Sequence, residues 1–161
     1  GFEFGPLRSP VRSGAAQASE RSDVPAAAAR IRDRASADEN AENLGAMGVA
    51  QLLLGQLDDA IASLQKSVDA RATPPANSDL AAAYLERGRR MANPEDYEKA
   101  LPSAERAIKE DPSLPEPYFN RALALEYLQL SDAARKAWED ASRHESNSRW
   151  AEEARKRTQP R

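Results

Sequence analysis

The chain has 161 residues, no cysteine, a single histidine and a formal net charge of −3. These facts exclude a disulfide framework, a thiol nucleophile and a cysteine metal site, and they argue against nucleic-acid binding by phosphate neutralisation. No apolar run approaches the ~20 residues that cross a bilayer, so direct membrane insertion is not expected.

Residues 1–22 have the composition of a flexible leader, rich in Gly, Pro, Ser and Arg. Pro6 and Pro10 forbid a long helix there, and Phe2, Phe4 and Leu7 are its bulky apolar residues. A second reading has those three side chains docking on the first open face of the folded domain. The opening G-F-E-F-G-P-L lacks a signal peptide's apolar core and an initiator Met, so a longer parent protein is expected.

Ser22-Asp23 reads as the cap of a helix over 23–38, with Pro25 near its first turn and Ala27, Ala28, Ile31 and Ala35 along one side. Residues 41–73 then form a helix pair. Its first helix, about 41–54, carries Leu44, Met47, Gly48 and Gln51 on the inner line. Gly55-Gln56 turns the chain, and the second helix, about 58–70, carries Ala60, Ile61, Leu64, Ser67 and Val68 inward. Gly45 and Gly48 lie within a helix and serve packing; they do not form a phosphate loop.

Residues 74–114 repeat the layout with a difference. The first helix carries Leu80, Ala81, Tyr84 and Leu85, the second Tyr97, Ala100, Leu101, Ala104, Ala107 and Ile108. Gly88 and Ala100 are twelve apart where Gly55 and Ala60 are five apart, so seven residues are added within Arg89–Glu95. Seven residues are about two helical turns, one for each antiparallel helix, which keeps both apolar faces in phase. The spacing therefore predicts a taller hairpin whose second helix opens at Asn93-Pro94. Pro102, deep in that helix, predicts a kink or an irregular first turn.

Residues 115–146 form a third pair, with a turn at Gln129–Ser131 and small residues Ala122, Ala134 and Ala141 where its helices cross. A last helix over 147–158 turns Trp150 and Ala154 inward. Its charged outer side suits a cap on an array.

The three pairs resemble the tetratricopeptide repeat, W-x2-L-G-x2-Y, then A-x3-F, then P, in about 34 residues. The first pair offers Leu44-x2-Met47-Gly48-x2-Gln51 and Ala60-x3-Leu64. The second offers Leu80-Ala81-x2-Tyr84, Ala100-x3-Ala104 and Pro112; the third Tyr118-x2-Arg121-Ala122-x2-Leu125 and Ala134-x3-Trp138. The resemblance implies an all-α fold, a right-handed superhelical array of antiparallel helix pairs with a capping helix, over 23–158. A narrower likeness, carried by G-F-E-F-G-P-L, E-N-L-G-A-M-G-V-A-Q-L-L-L-G and Y-F-N-R-A-L-A-L-E, is to repeats that precede a caspase-like (CHAT) peptidase domain in large bacterial proteins. It implies the recruiting arm of a protease, with a peptidase domain in the same parent chain as one partner. The setting would be cytoplasmic or, for a membrane-anchored parent, periplasmic.

No enzyme is legible. His144 is expected to interact with its helix C-terminus, and Asp58-Asp59 and Glu152-Glu153 read as helix-start or surface charges. No cofactor or metal is implied. Binding is the expected use, through a concave groove lined by the first helix of each pair. Helical phase puts Val49, Leu52 and Leu53 there from the first pair, Asp79, Ala82, Leu85 and Glu86 from the second, and Phe119, Asn120, Leu123, Glu126 and Tyr127 from the third. The resemblance implies that Asn120 bonds peptide backbone, while Asp79, Glu86 and Glu126 would meet a ligand Lys or Arg. It also implies that the chaperone-tail role is absent: the groove has Gly45, Val49, Asp79, Glu116 and Asn120 where that role needs a basic clamp. The expected partner is thus a peptide or neighbouring domain, with a structural spacer or a homo-oligomer as the alternative.

Overall fold

Tight turns shape the chain, and three of them pass through one left-handed residue each: Gly55 (φ 75°), Ala92 (φ 51°) and Gln129 (φ 59°). The computed structural model describes residues 16–144 and 149–158, and the regular structure among them is entirely α-helical. The helices are α1 (Ala16–Ala37), α2 (Ala41–Leu53), α3 (Leu57–Ala70), α4 (Pro74–Met91), α5 (Pro94–Glu110), α6 (Glu116–Tyr127), α7 (Ser131–His144) and α8 (Arg149–Thr158). They fall into two compact units that part between Ala72 and Thr73. Phe2, Phe4 and Leu7 lie outside the described residues, as does the expected start of the last helix at Asn147.

In the unit ending at Ala72, Asn40 starts α2 by accepting the Asn43 amide at 2.9 Å on its side-chain oxygen. Helix α2 buries Leu44, Gly48, Ala50 and Leu52. Helix α3 answers with Leu57, Ala60, Ile61, Leu64 and Val68. The two backbones approach closely at Gly48: a Cβ there would sit 2.5 Å from Leu64 Cγ and 3.1 Å from the Ala60 carbonyl oxygen. Ser67 ties the pair at its other end, its hydroxyl donating to the Ala41 carbonyl at 2.6 Å. Helix α1 packs on α2 and buries Ala28 and Ala35. It begins at Ala16, not at a Ser22-Asp23 cap, and Pro25 lies inside it. The flanking A-Q-A-S-E-R and A-A-A-A-R are strong helix formers, and they carry the helix past the one amide hydrogen bond that Pro25 removes.

The unit from Thr73 holds the longer hairpin. Helices α4 and α5 have 18 and 17 residues, against 13 and 14 in α2 and α3. Thr73 caps α4 by accepting the Ala76 amide at 3.3 Å, with prolines filling the first two positions, where amides lack partners anyway. Asn93 caps α5 and Pro94 opens it. The residues added at Arg89–Glu95 make a further layer of contact. Gly88 faces the Tyr97 ring so closely that a Cβ would stand 2.5 Å from Cε1. Beside it, Arg87 grips the fully buried Asp96 with two hydrogen bonds of 2.8 and 2.7 Å. Helix α5 continues unbroken through Pro102, whose ring is exposed.

Helices α6, α7 and α8 complete this unit around Trp138, 1% exposed. Phe119 meets Trp138 and Trp150 edge-on, both at 4.8 Å between ring centres. Ala151 and Ala154 bring α8 close. The outer side of α8 is not purely a solvated charge face: Glu153 is buried and Arg157 lies over the Trp138 ring at 5.0 Å. A guanidinium covers an indole well when carboxylates neutralise it, and Glu126 and Glu153 do so at 2.6 and 2.7 Å.

Candidate functional site

The twelve groove residues do not all reach a surface. Leu53 is 54% exposed, and Val49, Asp79, Glu126 and Tyr127 are half-buried. Leu52, Ala82, Leu85, Glu86, Phe119, Asn120 and Leu123 are buried, which corrects their placing on an open groove floor. The cause is packing between helices: Leu85, Phe119 and Leu123 belong to one apolar cluster with Trp138 and Ala154. Asn120 is 0% exposed and spends its amide NH2 within the fold, donating to the Ser78 carbonyl at 3.1 Å and hydroxyl at 3.3 Å. Its amide oxygen has no partner among the described residues.

The acidic points are also different from expectation. Glu86 is held by Arg89 at 2.9 and 3.0 Å and by Arg90. Glu126 is held by Arg157 at 2.6 Å and by the Trp138 indole N–H at 2.8 Å. Both carboxylates therefore meet arginines of their own chain. Burial opposes the Arg157 charge, yet hydrogen bonds with Glu126 and Glu153 outweigh it and hold its pKa above the ordinary guanidinium value. Glu126 and Arg157 are remote in sequence, and no local pattern could have paired them.

An aromatic platform emerges that helical phase alone did not reveal. Tyr127 of α6 stacks on Tyr97 of α5 at 4.8 Å, and both rings remain half-exposed. Burial pushes the pKa of each phenol above the ordinary 10.0. For Tyr127 the nearby Arg157 and Arg89 partly offset that rise. Tyr97 was assigned inward from its spacing; its pairing with Tyr127 depends on how α5 meets α6.

The single histidine lies in the last turn of α7, at the expected helix end, and has a ring partner there as well. His144 stacks face to face on Tyr118 at 3.8 Å, with Arg121 across the same ring at 5.6 Å. Tyr118 is anchored by its hydroxyl, which donates to the Pro112 carbonyl at 3.1 Å. In the unit ending at Ala72, a cavity of about 30 Å³ open to water lies among Ala28, Arg32, Met47, Gln51, Leu54 and Gln56, with room for a water molecule. Among the described residues no group of His, Cys, Asp and Glu is placed to hold a metal, and no helix is long and apolar enough to cross a membrane.

No protein-family model matches the sequence, nor does any curated protein. Solved structures do match. The first tetratricopeptide (TPR) domain of Spaghetti (RPAP3), bound to the HSP90 peptide SRMEEVD, is 25% identical with a TM-score of 0.64, over 74% of this chain and 91% of that one. The TPR domain of Sgt2 from Aspergillus fumigatus is 26% identical with a TM-score of 0.64, over 73% and 76%. TTC0263, a TPR protein of Thermus thermophilus, has a TM-score of 0.71 at 20% identity, over 89% and 75%. The all-α fold of this chain is that of TPR domains.

Proposed function

We propose that the chain is a protein–protein interaction module that takes a peptide segment or a neighbouring domain along helices α4 and α6. The observation that carries this reading is the likeness to the RPAP3 domain, which covers 91% of a TPR domain solved with a peptide bound. On helices α4 and α6 the half-buried residues within reach of a ligand include Asp79 and Tyr127, with Asn120 beneath them. Glu86 and Glu126 are satisfied internally, so a basic ligand gains little from them. A clamp for a terminal carboxylate is not part of the proposal, since Asp79, Glu116 and Asn120 supply no cation.

A displayed peptide library panned on the full chain tests this. Enriched peptides are expected to bind with Kd values on the order of 10 μM, about 7 kcal/mol. Tyr127→Ala and Asp79→Lys should each weaken them at least about tenfold while the thermal melt still shows a folded chain. A library that yields no binder, or binders indifferent to both changes, removes the reading. The CHAT-type likeness supports a finer one, the recruiting arm of a larger bacterial protein. The parent's flanking sequence decides it, through the presence or absence of a caspase-like domain.

A spacer or self-association module is the second reading. Its support is a set of exposed apolar side chains at hairpin turns: Leu53 at 54%, Met91 at 59% and Leu130 at 50%. Light scattering over a concentration series, repeated with Leu53→Asp and Leu130→Asp, separates it from the first.

A further inference from the structure

We propose that the added turn of α4 gives the peptide face a specificity element: Arg90, beside the Tyr97–Tyr127 stack, selects a partner segment in which an Asp or Glu side chain neighbours an aromatic one. This rests on the peptide-binding reading of that face. It narrows the ligand from any peptide to one chemical class.

The element exists because the hairpin is tall. Helix α2 stops at Leu53 and its chain turns through Gly55, whereas α4 runs past Gly88 to Met91. Arg89 and Arg90 belong to the added residues, and both fold back on Glu86, whose side chain is 2% exposed. Arg89 already meets both Glu86 oxygens, at 3.0 and 2.9 Å. One arginine bound in this way suffices for a buried carboxylate, as Arg87 shows on Asp96. Arg90 is a second cation on the same group. It spends its Nε on Glu86 Oε1, and its other four N–H groups have no partner among the described residues. Its side chain is 45% exposed.

The aromatic rings stand close to this fork. Burial raises the pKa of the Tyr127 phenol, Arg157 and Arg89 pull it back, and Glu126 and Glu86 add to the rise. The Glu86 carboxylate that holds Arg90 therefore lies near the Tyr127 ring, which stacks on Tyr97 at 4.8 Å. Neither phenol hydroxyl has a partner among the described residues. Raised pKa values keep both protonated at neutral pH, so they add O–H donors to the Arg90 N–H groups.

Unspent donors beside two partly exposed rings fit one kind of occupant. A carboxylate takes the guanidinium and phenol donors, and an adjoining aromatic side chain lies against the tyrosines. A basic segment finds little to bind, because Glu86 is held by its two arginines and Glu126 by Arg157 and the Trp138 indole. Asp79 lies eleven residues from Arg90 on the same side of α4. That is about 16 Å, beyond the ~8 Å over which salt leaves a surface charge felt, so it does not repel an acid at Arg90.

The probe is a library of short random peptides displayed through their C-termini, so that no terminal carboxylate is offered. It is panned on the full natural chain, and the enriched peptides are remade as C-terminal amides. They are expected to carry Asp or Glu next to Phe, Tyr or Trp, and to bind Arg90→Gln at least about tenfold more weakly. Arg90→Gln leaves Arg89 on Glu86, so its thermal melt should match that of the natural chain. Enriched peptides that lack the acidic–aromatic pair, or that bind Arg90→Gln as tightly as the natural chain, overturn the proposal. Tyr127→Ala tells the two readings apart. If it abolishes binding that Arg90→Gln leaves intact, the face is a peptide site without this selectivity. If no peptide is enriched, both readings fall.

Discussion

The hairpins α2–α3 and α4–α5 close their helices by different means. The shorter pair closes on an apolar seam at Gly48, against Leu64 and the Ala60 carbonyl, and on the Ser67 hydroxyl bonded to the Ala41 carbonyl at its other end. The taller pair adds a second crossing near its tip, where Gly88 meets the Tyr97 ring and Arg87 clasps Asp96. Its turn passes through Ala92, while the shorter pair turns through Gly55. A hairpin extended by two turns in total outruns its apolar residues. It then holds its new end with an arginine–aspartate clasp and an aromatic ring against a glycine. The cost is a buried charge at Asp96, tolerable because Arg87 meets both of its oxygens.

The largest expected effect breaks the clasp. Asp96→Ala takes from Arg87, 19% exposed, the carboxylate it grips, and should cost about 3 kcal/mol in chemical denaturation. Replacing both residues at once, Arg87→Met with Asp96→Leu, should cost less than the single change, because neither charge of the clasp then remains. If the double variant is the worse of the two, the clasp is not what secures the taller end.

Next come the two glycines. Gly48→Ala drives a methyl toward Leu64 and a backbone carbonyl and should destabilise by roughly 2 kcal/mol. Gly88→Ala meets the Tyr97 ring and, at 3.2 Å, the Asn93 carbonyl; the ring is only partly buried, unlike Leu64, and the helix gains up to about 1 kcal/mol in propensity. The net change at Gly88 should therefore stay below about 1 kcal/mol. Equal costs at both positions would mean that the two crossings are equally rigid.

Alkaline pH should separate the two units. All four tyrosines lie beyond Thr73, and burial raises the pKa of Tyr84, Tyr97 and Tyr127 above 10.0. A raised folded-state pKa gives stability that is fully present below the unfolded value and is lost as pH climbs through the folded one. Amide exchange at rising pH should thus show the unit from Thr73 loosening above about pH 10, ahead of the α2–α3 pair, which holds no tyrosine. Phenolate absorbance followed in parallel links the loosening to tyrosine. The smallest effect is at the turns: Ala92→Gly relieves a left-handed alanine and should stabilise by about 0.5 kcal/mol, read as a rise in melting temperature.

Much of the fold is legible in the residues. Period and small-residue spacing locate α2 through α7 because helix geometry fixes which side chains share a face. Seven added residues at Arg89–Glu95 require a taller hairpin for the same reason, and Asn93-Pro94 marks where its second helix opens. The start of α1 escaped that logic, since an alanine-rich helix continues wherever no strong breaker stops it, and one proline did not.

The candidate site was legible as a list of helical phases, but not as a surface. Phase gives a side chain's direction from its own axis, and says nothing of what approaches from another helix. Leu85, Phe119 and Leu123 became core because α6 meets α4 and α8 brings Trp150 to Phe119. Glu126 found Arg157 thirty-one residues away, and Asn120 found Ser78 forty-two residues away. The sequence alone determined the helices, their pairing and the repeat length, because these follow from local periodicity. Only the tertiary structure decided which carboxylates are spent, which amide oxygen is left unmet and which rings stay exposed, because burial and charge pairing depend on neighbours that no local stretch contains.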